Sequence, residues 1–104
     1  MRKKWNKLQK LCADKKCWTE AILEADKLLD NALRRKRLKG KSMGERLVSA
    51  QDHMSNNDGV WYAHNLAKKI IDQKVMKLRK TETKKALLYF GQALKDLGAL
   101  KNGK

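Results

Sequence analysis

"ALLYFGQALKDLGAL", residues 86–100, decides the fold. Ala86, Leu87, Phe90, Ala93, Leu94 and Leu97 recur with the three- and four-residue spacing of one helix face. Gly98 follows where a left-handed helix end would sit, and Thr81 or Thr83 can cap the start. A stripe this long has to be covered by other apolar surface, so partner helices are expected elsewhere in the chain.

The segment upstream predicts a helix over residues 59–79, capped by Asp58 after the turn-prone "SNNDG". Val60, Ala63, His64, Ala67, Ile70, Ile71 and Leu78 fall on its apolar face. Before it, "SMGE" starts another helix. Ser42 and Glu45 have the capping-box spacing, and Leu47, Val48 and Met54 supply apolar contacts. A further helix is predicted over residues 18–36, with Trp18, Ile22, Ala25, Leu29 and Ala32 on its buried face, widened by Ala21 and Leu28. Acids gather early in it and "RRKR" late, as the helix dipole prefers, and Gly40 is its stop signal. A short helix over residues 2–13 carries Trp5, Leu8, Leu11 and Cys12 on one side before "ADKK" breaks the pattern.

Proline is absent, and no stretch alternates apolar and polar residues over strand length. The class is all-α. A chain of 104 residues forms one helical domain, 1–104, with a bundle core over about 18–100. Short loops favour antiparallel neighbours, so the expected architecture is an up-down four-helix bundle with a short additional N-terminal helix. An open helix-turn-helix array is the alternative, but the last two helices are long for it.

The net charge is +15, from 26 Lys and Arg against 11 Asp and Glu. Such a surface attracts polyanions: nucleic acid first, then an anionic membrane surface or an acidic protein. A merely solvated surface is the competing reading, because Lys outnumbers Arg and arginine is the better phosphate clamp. The densest cluster is "RRKRLKGK", residues 34–41; a second comprises Lys68, Lys69, Lys74, Lys77, Arg79 and Lys80. Arg34, Arg35, Lys36, Arg37, Lys68 and Lys69 are the candidate nucleic-acid contacts. Six aromatics in the whole chain make no evident stacking platform for single strands.

Cys12 and Cys17 are too widely spaced for a zinc pair, and His53 and His64 do not complete one, so neither metal nor cofactor is expected. Two free thiols fit a reducing compartment. The basic "MRKKWNKLQKL" lacks the apolar run of a signal peptide and no segment approaches membrane-spanning length, so a cytoplasmic location is expected.

The chemistry-bearing residues concentrate in "WYAHNLAKKIIDQ", residues 61–73. His64 lies on the apolar face, either as a buried neutral imidazole or at a cleft edge. At about 100° per residue, Trp61, Asn65, Lys68 and Asp72 line one flank of the helix. Trp61, His64, Asn65 and Asp72 therefore mark a cleft or an interface, set against the simpler reading of an interfacial Trp beside a surface Lys–Asp pair. Glu24 and Asp26 flank the buried face of the earlier helix, where they can meet another helix. Ser42 is explained as a cap, and no nucleophile–base set can be argued.

"AILEADKLLDNAL", "GKSMGERL", "WYAHNLAKKIIDQ" and "ALLYFGQALKDLGAL", in that order, resemble small bacterial members of the HEPN-like superfamily. The resemblance covers residues 18–100 and implies a four-helix up-down bundle, often a homodimer. In catalytic members, the Arg and His of an RNxxxH motif meet across the dimer and cleave RNA without metal. Here the motif's arginine position is Ala67, its asparagine position Lys68 and its histidine position Asp72. Alanine cannot stabilise a phosphorane, and an aspartate with a reference pKa of about 3.9 is a poor acid at neutral pH and repels phosphate. Ala67 is expected at the core edge, with Lys68 and Asp72 on a flank, so restoring the motif is expected to be sterically feasible. The resemblance therefore implies a non-catalytic bundle that binds nucleic acid, with RNA favoured. The alternatives are a protein-interaction or dimerisation module, such as the inactive partner in a toxin–antitoxin system, and a residual metal-independent ribonuclease.

Overall fold

The computed structural model describes residues 2–11, 14–73 and 77–100, and every regular element among them is helical. Five α-helices follow in order: α1 (Arg2–Leu11), α2 (Trp18–Arg35), α3 (Met43–Ser49), α4 (Asn57–Gln73) and α5 (Lys80–Asp96). Single 3₁₀ turns at Lys15–Cys17 and Gln51–His53 precede α2 and α4. The all-α class expected from the periodicity is what the chain adopts. Cys12, Lys74 and Met76 lie outside the described residues.

The long helices α2, α4 and α5 pack against one another pairwise. On α2, Ala21, Ile22, Ala25, Leu28, Leu29, Ala32 and Leu33 are buried; on α5, Thr83, Ala86, Leu87, Phe90, Gly91, Ala93 and Leu94 are. Val60, Ala63, His64, Ala67 and Ile70 face them from α4. Contacts fix the directions. Ile71, late in α4, lies beside Thr19 and Leu23, early in α2, whereas Trp61 lies beside Asp26 and Asp30. Tyr62 of α4 meets Tyr89 of α5 edge to face at 5.8 Å, with the Lys85 ammonium 5.9 Å from its ring. Ser55, just before α4, bonds Asp96 at the end of α5, so both α2/α4 and α4/α5 run antiparallel, and α3 lies in the connection between α2 and α4.

α1 lies across α2 and α5. Trp5 and Leu8 are buried, and Leu11 packs against the core from a half-buried position. The Trp5 ring sits on Gly91: a Cβ there would come within 2.8 Å of Trp5 Cζ2. Gly59 does the same for α4 on α5, since a Cβ there would lie 2.5 Å from Tyr89 Cδ1.

Several expected boundaries move, each for a local reason. Asn56, not Asp58, caps α4: its Oδ1 accepts from the Gly59 N–H at 2.9 Å, which leaves Asp58 in the first turn. The start of α5 is tied by neither expected threonine acting as a cap. The Glu82 side chain accepts from the Arg79 N–H at 2.9 Å, and the buried Thr83 hydroxyl donates back to the Arg79 carbonyl at 3.0 Å. Lys77, Leu78 and Arg79 are not helical, so Leu78 reaches the core from the connection and not from α4. Ile71 is 60% exposed, not on the buried face. α3 has seven residues; Leu47 is buried, Val48 is exposed, and Met54 packs inward from beyond the helix.

The expected glycine stop of α5 is in place. Gly98 has φ 77°, Ala99 N–H donates to Leu94 O at 2.8 Å and Gly98 N–H to Lys95 O at 2.9 Å, which closes a Schellman motif. Just inside it, Asp96 accepts from the Ser55 N–H at 2.9 Å, the Ser55 hydroxyl at 2.8 Å and the Gln92 amide at 3.1 Å. Partial burial alone would raise its pKa; these three donors outweigh that and hold it below the usual aspartate value.

Gly91→Ala is expected to lower stability by about 1–3 kcal/mol by pushing Trp5 off α5. In a Trp5→Leu background the clash is relieved and alanine's helix propensity, worth about 1 kcal/mol over glycine, takes over. Urea denaturation of the four proteins measures the coupling.

Because the folded-state pKa of Asp96 is depressed, its stabilisation is complete above the unfolded-state value of about 3.9 and is lost as pH falls through the folded value. Asp96→Asn is expected to flatten the fall of the urea midpoint in that acidic window and to leave the slope near neutrality unchanged.

Candidate nucleic-acid interface

Two neighbouring features carry the polar chemistry: a cleft between α2, α3 and α4, and a cationic ridge where α2 ends. Four residues apart on α2, Asp26 and Asp30 point to the same side, toward α3 and α4. Each is half-buried and each holds one partner. Asp26 Oδ1 lies 2.9 Å from His64 Nδ1. Asp30 receives a two-pronged contact from Arg46 of α3, Nε to Oδ1 at 2.8 Å and Nη2 to Oδ2 at 3.1 Å. Arg34 Nη2 adds a third contact to Asp30 at 3.3 Å.

Arg46 is 8% exposed and spends its remaining nitrogen on the Gly40 carbonyl, 2.9 Å from Nη1. It fixes α3 to α2 and is a structural cation, not an available anion ligand. Gly40 is needed there: a Cβ would lie 2.6 Å from the Arg46 backbone nitrogen. α3 itself begins on the expected Ser42 cap, whose hydroxyl accepts from the Glu45 N–H at 3.2 Å. The return arm goes one residue further out than expected, from the Lys41 N–H to Glu45 Oε1 at 3.2 Å.

The cleft, about 370 Å³, is lined by Asp26, Asp30, Ser42, Trp61, His64 and Lys68, with Lys27, Met43, Gly44 and Ile71 at its sides. Of the predicted residues, the structure brings Trp61, His64 and Lys68 together. Trp61 is half-buried with its ring edge-on to His64, centroids 5.9 Å apart at 70°. Asn65 and Asp72 are exposed on α4 and line no part of the cleft, and no ion pair joins Lys68 to Asp72. Lys69 is exposed beside Lys68 and lines no part of the cleft. His53 is exposed in its 3₁₀ turn. Ala67 is 0% exposed, packed in the core and not at its edge. An arginine at that position would have to displace core side chains, so rebuilding the RNxxxH motif is not sterically free. Among the described residues, no three or more His, Cys, Asp or Glu side chains gather as a metal site.

The ridge follows directly. Arg34, Arg35, Lys36, Arg37, Lys39 and Lys41 are all exposed. Arg34, Arg37, Lys39 and Lys41 ring an open hollow that also reaches Gly40, Glu45 and Arg46. α2 ends by a Schellman motif, with Leu38 N–H donating to Leu33 O at 3.2 Å and Arg37 N–H to Arg34 O at 2.9 Å. Its left-handed residue is Arg37, with φ 58°, three residues before the glycine expected to stop the helix. A non-glycine side chain here costs about 1 kcal/mol or more, which the helix end tolerates while turning Arg37 outward.

Sequence reasoning missed the Asp30–Arg46 contact and the partner of His64. The available signal was the i, i+4 spacing of Asp26 and Asp30; which helix would face them was not written in it.

Asp30→Ala strands the Arg46 guanidinium and is expected to cost about 3–5 kcal/mol, whereas the paired change Asp30→Leu with Arg46→Met should recover most of that. Chemical denaturation of both variants distinguishes a buried network from a surface pair.

No family model matches this chain, and neither a curated protein nor a solved structure matches it.

Proposed function

We propose that this chain is a non-catalytic, HEPN-like bundle that binds nucleic acid, with RNA favoured, through its basic surface in the cytoplasm. The observation that carries the reading is the ridge: six of the eight residues over 34–41 are cationic and every one of the six is exposed. Arg34 alone of them is tied to an acid by an ion pair within 4 Å among the described residues, at 3.3 Å from Asp30. Cations packed this densely on a turn repel one another, and a phosphate backbone relieves that repulsion while releasing its own counterions. Among the described residues no helix is long and apolar enough to cross a membrane. The four-helix frame belongs to this proposal too, with α2, α4 and α5 as its long members; because α2 and α4 run antiparallel, the short α3 lies within their connection and is not one of the alternating legs.

The non-catalytic part rests on the positions that the resemblance assigns to chemistry. Ala67 is inside the core, and Lys68 and Asp72 do not share the cleft. A second reading, a dimerisation or protein-interaction module, is favoured by one observation: Leu88 of α5 is 70% exposed and lines a hollow with Trp5 and Gln9 of α1, and Ile71 is exposed on α4. A protein whose sedimentation shows a dimer disrupted by Leu88→Lys, and which binds no polyanion, would fit that reading and displace the first.

Arg37→Gly tests the ridge without endangering the fold, because glycine suits the left-handed position and should hold or raise stability by about 0.5–1 kcal/mol. Together with Arg34→Glu and Arg35→Glu it is expected to weaken RNA binding, each lost phosphate contact flattening the log–log salt dependence by about 0.7 for a single strand. Fluorescence anisotropy over a salt series, with RNA, duplex DNA and heparin, gives the slopes. A slope unchanged by all three substitutions would mean that these arginines are only solvated. The RNA recovered afterwards is expected intact.

A further inference from the structure

The ridge leaves His64 unexplained. The residue is 6% exposed and its Nδ1 is held by Asp26 at 2.9 Å. A carboxylate oxygen accepts, so Nδ1 donates, and in the neutral form of the ring Nε2 presents a lone pair. No described residue hydrogen-bonds Nε2, and no buried side-chain nitrogen or oxygen is left without a partner. Nε2 is therefore not sealed in the core, and the cleft is what His64 lines.

What surrounds it selects a ligand. The ring edge of Trp61 stands beside His64. Lys68 lies one turn further along α4 on the same lining, and Lys27 and Ser42 face it from α2 and α3. The cleft's volume of about 370 Å³ falls within the range of small-ligand sites, about 300–1,000 Å³. An oriented acceptor, a flat aromatic and two ammonium groups suit a molecule with a hydroxyl donor, a ring and a phosphate. Asp30 joins this cleft to the ridge, since it lines the one and pairs with Arg34 of the other. A strand whose phosphates follow the ridge arrives at the cleft mouth.

We propose that the cleft holds one unstacked ribonucleotide of the bound strand, with its 2′-hydroxyl donating to His64 Nε2, and that this contact makes the protein prefer RNA to DNA. The 2′-hydroxyl is the group by which a protein tells the two apart. Asp26 is the positioning residue: it holds the Nδ1–H, so that in the neutral ring Nε2 is the acceptor. The base lies against Trp61 and the phosphate at Lys68. The proposal rests on the nucleic-acid reading, which supplies the strand, but the cleft contact can be measured without the ridge.

The imidazole resonances of His64 are followed by ¹H–¹⁵N NMR while the protein is titrated with adenosine 5′-monophosphate and, separately, its 2′-deoxy counterpart at fixed ionic strength. Anisotropy compares RNA, DNA and 2′-O-methyl RNA of one sequence. The ribonucleotide is expected to shift the Nε2 resonance and the deoxy form to bind about tenfold more weakly, as loss of one donor to a fixed acceptor predicts. His64→Phe should abolish the RNA preference and leave the salt slope intact, while ridge substitutions should weaken RNA and DNA alike and leave the ratio intact. Should His64→Phe fail to fold by circular dichroism, Asp26→Asn, which frees the tautomer, is expected to shrink the same ratio. Equal shifts with both mononucleotides, or equal affinity for RNA and its 2′-O-methyl form, overturn the proposal while leaving the ridge reading standing. An RNA preference that persists in both variants overturns it as well. A His64 shift specific to the ribonucleotide, in a protein whose salt slope ignores the ridge, supports the cleft and sinks the ridge instead.

Discussion

Alanine sets the spacing on which the rest of the structure depends. Ala21, Ala25 and Ala32 of α2, Ala63 and Ala67 of α4, and Ala86 and Ala93 of α5 are all buried, at no more than 2% exposure. Interaxial distance follows the side chains at the contact, so small residues at these positions let the three helices approach closely. Larger side chains fill the space between: Ile22, Leu29, Leu33, Leu94 and above all Phe90 are fully buried. The same closeness brings Asp26 and His64 within 2.9 Å across the α2/α4 seam. It also fixes the character of the α4 segment, because Ala67 belongs to the packing and has no room for a longer side chain without a shift of its neighbours.

At the edge of that seam the polar groups are handled differently from the core. Each carboxylate on the inward flank of α2 is matched by a donor from another helix, Asp26 by His64 and Asp30 by Arg46. A half-buried charge left unpaired would cost more than its side chain contributes by packing, and pairing it with a fixed partner also fixes where α3 and α4 lie. α3 is too short to be held by its apolar face alone, with Leu47 its fully buried side chain and Val48 exposed. The Arg46 contacts to Asp30 and Gly40 do what a longer apolar stripe does elsewhere. Asp26 and Asp30 point into the cleft, where donors from other helices meet them, and the densest cations gather outside it on the turn that follows α2.

That turn shows how a local rule can be broken for a reason visible in the fold. A glycine is the ordinary left-handed residue at a helix end, and α5 uses Gly98. α2 uses Arg37 and keeps its glycine for Gly40, where backbone of α3 passes too close for a Cβ. One helix end thus carries both a strained cation facing solvent and a glycine set close against the backbone of α3. Strain of this kind persists only where the surroundings hold it, and here the Schellman hydrogen bonds and the Arg46–Gly40 contact do so.

The periodicity of the chain by itself determined that it is all helical, where α2 lies to within a residue or so, the Ser42 start of α3 and the Gly98 end of α5. Those features are local: a stripe, a cap or a left-handed glycine is specified by residues a few positions apart. The cap of α4, the non-helical approach to α5 and the exposure of Ile71 and Val48 were not legible, because neighbouring asparagines and aspartates cap equally well in sequence and a helical wheel leaves flank residues ambiguous by some tens of degrees. The candidate site divides the same way. The ridge could be read from "RRKRLKGK", since six cations so close in sequence have nowhere to go but the surface. The cleft could not. Asp26 and His64 are 38 residues apart and Asp30 and Arg46 are 16 apart, and their pairing depends on which faces of three helices meet. Only the packing of α2 against α3 and α4 decides that, because the free energy of pairing exists only after the apolar faces have excluded water from the seam.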